Sequence, residues 1–177
     1  FGPTAARFKE SMQLSPMAVG FLVAMPSLSG SLLRIPFSAW TDARGGRKPF
    51  LVLLSLATVG MAGLAAVVTF RYPARLGPEL YPLLLALGLL CGCGIAGFSV
   101  GITQVSYWFP QSRQGVALAV FGGVGNLAPG LFSVLIPIAL ATLGLAGSYT
   151  VWLALLGIGL VLYSWIGRDA WYFQLRD

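Results

Sequence analysis

The sequence predicts an all-α membrane protein built from about five membrane-spanning helices. Three observations carry this. Hydrophobic residues make up 57% of the 177-residue chain and charged residues only 9%, against roughly 25% charged in a soluble domain. The mean hydropathy is +0.84. The charges gather in short segments between apolar runs of about twenty residues or more, the length that crosses roughly 30 Å of hydrocarbon. In that setting the net charge of +6 reports where the loops lie rather than an affinity for nucleic acid.

Residues 1–15 are polar and mixed, and read as an extracytoplasmic loop. Their first ten, FGPTAARFKE, lack the apolar core of a signal peptide. Ser15-Pro16 then has the form of a helix N-cap followed by proline at the first helical position. A first span is expected over 16–40. Pro26 and Pro36 interrupt it, and the carbonyls they free need protein or water neighbours. The basic segment Thr41–Lys48 follows, then a featureless second span over 49–70. Residues 71–80 form a loop with Arg71, Arg75 and Glu79. A third, glycine-rich span covers 80–108, with Gly88/Gly92 and Gly97/Gly101 at i, i+4. Phe109–Arg113 is a tight turn. The fourth span, 114–141, holds FGGVGNLAPG, Pro129 and Pro137, and Gly144 and Gly147 mark the next turn. A fifth span covers 148–167, and residues 168–177 form a charged, aromatic cytoplasmic tail.

Five spans place 41–48, 109–113 and the tail on one side, with Arg44, Arg47, Lys48, Arg113, Arg168 and Arg176. The opposite side has Arg7, Lys9, Arg71 and Arg75. The dense cluster at 41–48 assigns that side to the cytoplasm. The N-terminus is then outside, which is expected of a fragment that lacks a preceding span. GSLLRIPFS (30–38) and GNLAPGLFS (125–133) share Gly, Leu, Phe and Ser at equal offsets on helices of opposite direction, a faint echo of the inverted repeats of secondary transporters.

Arg34 is the residue of greatest interest. A guanidinium within a span costs at least about 2.5–3.5 kcal/mol on insertion scales, so its retention calls for a use. Ser27, Gly30, Ser31 and Ser38 lie at helical offsets that share its face. Such a stripe suits a water-filled cavity, and a planar five-donor fork fits a small oxyanion bidentately. The bland alternative is snorkelling, since Arg34 lies only about 12 Å along the helix from Asp42. All five acidic residues, Glu10, Asp42, Glu79, Asp169 and Asp177, sit in loops or at span ends. No carboxylate within a span is available to neutralise Arg34 or to relay protons.

Asp42, Arg44, Gly45, Gly46, Arg47 and Lys48 make a second group. The glycines permit a tight reversal, and Asp42 can cap or pair with its basic neighbours. In the fourth span Gly122, Asn126 and Gly130 recur at i, i+4, i+8. Close helix packing explains the glycines, whereas the Asn126 amide needs partners. Gln104 is a weaker candidate, with Thr103 and Ser106. Tyr107, Trp108, Trp165, Trp171 and Tyr172 read as interfacial anchors. Cys91 and Cys93 at i, i+2 point to different helix faces and cannot pair with each other. The chain has no histidine, so histidine metal sites and histidine bases are excluded, and no cofactor is expected. The lack of paired intramembrane carboxylates or a thiol–base pair argues against a membrane enzyme.

Taken together, SGSLLRIPFSAW, the D-x-x-G-G-R turn at 42–47, the Phe-Pro end of the third span and GGVGNLAPG resemble the nitrate/nitrite porters of the major facilitator superfamily. The resemblance covers essentially the whole chain, as helices two to six of twelve, and implies a partial N-terminal helical bundle in the cell (inner) membrane. The partners it implies are a small anion, nitrate or nitrite, the lipid bilayer, and a first helix and C-terminal half of the same transporter. It further implies that Arg34 binds the anion, with Ser31, Gln104 and Asn126 as further candidates. Asp42, Arg44, Gly45, Gly46 and Arg47 would form the gating turn against the second half. Gly97, Gly101, Gly122, Gly125 and Gly130 would let helices slide as access alternates. The chain departs from the pattern at Ser38, Ala43 and Gly97, where the family usually has Gly, Arg and Asn, and near Gln104, where it usually has another Asn. Another small or organic anion is therefore the alternative substrate.

Overall fold

In the computed structural model, residues 2–72 and 76–175 are described. Arg75, Arg176 and Asp177, which entered the charge count above, lie outside them. A short 3-10 turn (Gly2–Thr4) leads into α1 (Ala5–Met12), followed by α2 (Pro16–Arg44), α3 (Arg47–Arg71), α4 (Tyr81–Trp108), α5 (Gln111–Ile166) and α6 (Trp171–Gln174). Four of these helices are long and apolar enough to cross a membrane: α2, α3, α4 with the turn before it, and α5.

α2 begins where Ser15 Oγ accepts the Ala18 N–H at 3.2 Å and Pro16 occupies the first turn. It then runs without a break through Pro26 and Pro36 to Arg44, four residues past the expected end of the span. The hydrophobic pattern stops at the lipid boundary, but nothing in Thr41–Arg44 stops helical hydrogen bonding. Gly45 does, at φ +86°, a conformation that favours glycine. The reversal is therefore Gly45–Gly46 alone. Asp42 and Arg44 stand on the last turn of α2, and Arg47 and Lys48 on the first turn of α3.

Gly144 does similar work inside α5. Its φ of +68° and ψ of −175° are the non-helical values in a 56-residue helix. The arm 111–143 starts beside α4, where Gln114 Nε2 donates to Ser106 O at 2.7 Å. The arm 145–166 ends at the same level, where Tyr163 Oη donates to Gln104 Oε1 at 2.9 Å. The two arms are therefore antiparallel, and each exceeds the roughly 20 residues of one span. With this division the described residues contain five helical segments long enough to cross a membrane.

α2 and α4 run parallel, side by side. Contacts tie them at three levels: Tyr81 Oη to Ala18 O at 2.9 Å, Ser29 Oγ to Leu89 O at 2.7 Å, and Tyr107 Oη to Asp42 Oδ1 at 3.1 Å. At the second level the backbones nearly touch. A Cβ at Gly92 would overlap Pro26 O and Ser29 Oγ, and one at Gly30 would stand 2.6 Å from Ile95 Cβ. Small residues at such crossings are the usual means of association in lipid. Ser29→Ala is expected to lower bundle stability by about 0.5–1.5 kcal/mol, the worth of one interhelical hydrogen bond in a membrane protein. Thermal unfolding in detergent checks it.

Two buried clusters fill the interior. One, at the end away from the Gly45–Gly46 turn, joins Phe8, Met12, Leu22, Leu64, Val68, Leu84 and Tyr149. The other, nearer that turn, joins Leu53, Cys93, Ala96 and Val100, with Phe37 and Phe50 against them. α1 is a finding within the expected loop 1–15. Phe8 and Met12, at i, i+4, are buried, while Arg7, Lys9 and Glu10 face out. Ala5 is buried with them, but an eight-residue segment is too short for this spacing to establish a helix, and the Phe8–Tyr149 ring contact anchors it.

Candidate functional site

Arg34 lies two-thirds of the way along α2, toward the turn. It is exposed, as are Ser27 and Ser31, and Ser38 is half-buried. Helical geometry at 100° per residue puts these four on one flank, next to the packed line through Leu22, Gly30 and Thr41. The far flank, Phe21, Leu28, Leu32 and Ile35, is exposed and wholly apolar. α2 thus shows one face to α4, one oily face outward, and one small polar face carrying the guanidinium. Gly30 belongs to the face packed on α4, against Ile95 and Gly92, rather than to the polar flank. Among the described residues Arg34 has no hydrogen bond or ion pair of its own. Asp42, the nearest carboxylate in sequence, accepts instead from Tyr107.

The other candidates fall in different places. Asn126 is exposed on the first arm of α5, and its Nδ2 donates back to Gly122 O at 2.8 Å. Gln104 is at the turn end of α4. Its Nε2 donates to Arg168 O at 2.8 Å and its Oε1 accepts from Tyr163, so both ends of the amide are engaged in joining helices. Ser31 shares the flank of Arg34; Gln104 and Asn126 are not hydrogen-bonded to it. The glycines divide too. Gly101 and Gly125 receive the Phe121 and Phe98 rings, which stack at 5.4 Å, and Gly97 faces Phe50. Gly122 and Gly130 have nothing within 4 Å of where a Cβ would stand.

The turn is organised differently from the local pairing expected. The Arg47 N–H donates to Asp169 Oδ1 at 2.7 Å, and Arg47 Nη2 donates to Ser164 O at 3.0 Å. Arg47 Nε is buried without a partner among the described residues. Gly45 and Gly46 are buried, while Asp42, Arg44 and Lys48 remain exposed. The partner of the turn is Asp169, over 120 residues away, and the sequence offers no spacing that would reveal it.

A parallel pair of helices crossing on glycine, a polar arginine-bearing flank and a two-glycine reversal define an all-helical bundle of membrane-crossing length. Residues 1–170 match the Major Facilitator Superfamily, and the chain belongs to that superfamily as a multi-pass membrane protein. It is 30% identical over 166 residues to the nitrate/nitrite transporter NarU of Salmonella typhimurium, covering 84% of this chain and 34% of that protein. It is 31% identical over 173 residues to the probable nitrate/nitrite transporter NarK2 of Mycobacterium tuberculosis, covering 98% and 42%. The nitrite extrusion protein of Bacillus subtilis is 26% identical over 156 residues, covering 88% and 36%. The chain thus spans well under half the length of these relatives.

Proposed function

We propose that this chain forms most of one half of a secondary transporter that carries nitrate, nitrite or both across the cell membrane by alternating access. One observation carries the reading: an exposed guanidinium in an apolar span, on a flank of small polar residues, without a protein counter-charge among the described residues. Such a group is stabilised by a small anion that accepts two parallel N–H bonds. The similarity to transporters named for nitrate and nitrite supports the choice of anion. Rocking of two halves about a midplane site is the general mode of such folds, and the remaining helices of the full-length protein would close the cavity over Arg34.

Asp42 and Arg44, exposed beside the rigid turn, are placed to contact the second half when the cytoplasmic side closes. Asp42→Asn is expected to lower turnover about tenfold, the worth of one charged hydrogen bond, with nitrate affinity unchanged. Kinetics of nitrate uptake into proteoliposomes by the full-length protein check both. The substrate reading itself is tested by uptake of labelled nitrate in competition with nitrite and with small organic acids. Inhibition by organic acids alone would assign the site to an organic anion.

A further inference from the structure

The segment that leaves the last long helix is bound to the α2–α3 turn from several directions. Asp169 accepts the Arg47 N–H, and its carboxylate fills the space beside Gly45, where a Cβ would stand 2.5 Å from Asp169 Oδ1. Arg47 reaches across to Ser164 O, while Gln104 bridges Tyr163 and the Arg168 carbonyl. Beyond Asp169, Ala170 and Phe173 are buried. The Phe173 ring meets Tyr107 edge-on at 5.0 Å, and Tyr107 is the residue whose hydroxyl donates to Asp42.

We infer that Asp169 is a positioning residue that caps α3 from outside and locks the segment 167–175 to the Gly45–Gly46 turn. The physical need is visible at α3. Its N-cap is Gly46, which has no side chain to accept the first N–H groups. A carboxylate supplied from elsewhere meets that need and also interacts favourably with the positive end of the helix. The two glycines then have separate reasons. Gly45 adopts a positive φ and leaves room for the carboxylate, and Gly46 lets Gln104 approach, since its Cβ would stand 3.0 Å from Gln104 Cβ. Two contacts thus join the outgoing segment to this end of α2: Phe173 meets Tyr107, which donates to Asp42, and Asp169, four residues earlier in the same segment, lies against Gly45. Through them the outgoing chain and the Asp42 end of α2 move as one body. The consequence for transport rests on the proposed function; the capping geometry does not.

The test uses the full-length transporter in lipid nanodiscs and proteoliposomes. Amide exchange over residues 45–50 is read by mass spectrometry, and nitrate uptake is read as kcat and KM. In Asp169→Ala, exchange over 45–50 is expected to rise about tenfold and kcat to fall about tenfold, with KM within about twofold of the parent. Asp169→Asn keeps an acceptor oxygen and is expected to fall between the two. Gly45→Ala collides with the carboxylate from the opposite side and is expected to reproduce the Asp169→Ala result. Parental exchange over 45–50 in Asp169→Ala overturns the cap. A raised KM at parental kcat, or raised exchange with parental turnover, overturns the positioning role. If the parent carries no nitrate, the functional reading fails by itself, and the exchange measurement still decides whether Asp169 holds the turn.

Discussion

Arg34→Ala in the full-length transporter is expected to abolish measurable nitrate uptake and to leave the thermal stability of the protein unchanged. Both halves of this expectation come from the same geometry. Each charge-assisted hydrogen bond from guanidinium to an anion is worth about 1.5–3 kcal/mol, so a lost bidentate pair weakens binding about a hundredfold or more. Stability is spared because Arg34 is exposed and makes no hydrogen bond or ion pair among the described residues. Its removal strands no buried partner, and such substitutions stay within about 0.5 kcal/mol. Arg34→Gln keeps donors but loses the charge and the planar fork, and is expected to fail almost as completely. Arg34→Lys keeps the charge as a point and loses the two parallel bonds, so a partial defect in affinity is expected. Labelled-nitrate uptake into proteoliposomes, beside unfolding curves in detergent, checks all three. Normal uptake by the Ala and Gln variants would remove Arg34 from the site and return it to a snorkelling role.

Gly92→Ala is expected to have the largest effect on the fold. The added methyl would meet Pro26 O, Ser29 Oγ and, at 2.6 Å, Pro26 Cα. Two of the three are backbone atoms of α2, which cannot rotate out of the way. Overpacking of this kind costs typically about 1–3 kcal/mol, and a backbone obstacle puts Gly92→Ala at the upper end. The crossing can relieve the clash only by moving α2 off α4, which breaks the Ser29–Leu89 bond and displaces the Arg34 flank about two turns further on. Reduced nitrate affinity is therefore expected together with a lowered unfolding temperature. Gly159→Ala is the control. Gly159 lies in the second arm of α5 with nothing within 4 Å of its Cβ position, and alanine in a helix interior is favoured over glycine by about 0.5–1 kcal/mol. A Gly159→Ala protein as unstable as Gly92→Ala would show that packing at the crossing is not the cause.

How much was legible in advance differs from element to element. The spanning segments were readable because lipid imposes a length and a composition that nothing else in a protein imitates. The Ser15-Pro16 start of α2 was readable because capping is local chemistry. The end of α2 was not, since apolar pattern marks the membrane boundary and not the last helical hydrogen bond. α1 was missed because its buried face, Ala5, Phe8 and Met12, covers only eight residues, too short a stretch for a period to stand out. At the site, Arg34 stood out from residue type and position alone. The bonds of Gln104 to Tyr163 and the Arg168 carbonyl were not legible, because a polar residue near a span end carries no local mark of distant partners.

The amino-acid order by itself determined that this chain is a set of apolar helices in lipid and that a lone arginine sits in the first of them. Those properties follow from transfer free energy, which is a sum over residues and needs no partner. Only the tertiary structure decided which flank of α2 carries that arginine, that Gly30 and Gly92 meet across a crossing, and that Asp169 closes on the distant turn at Gly45. Each of these is a pairing between residues far apart in the chain, set by the shape of the packed backbone rather than by the chemistry of any one segment.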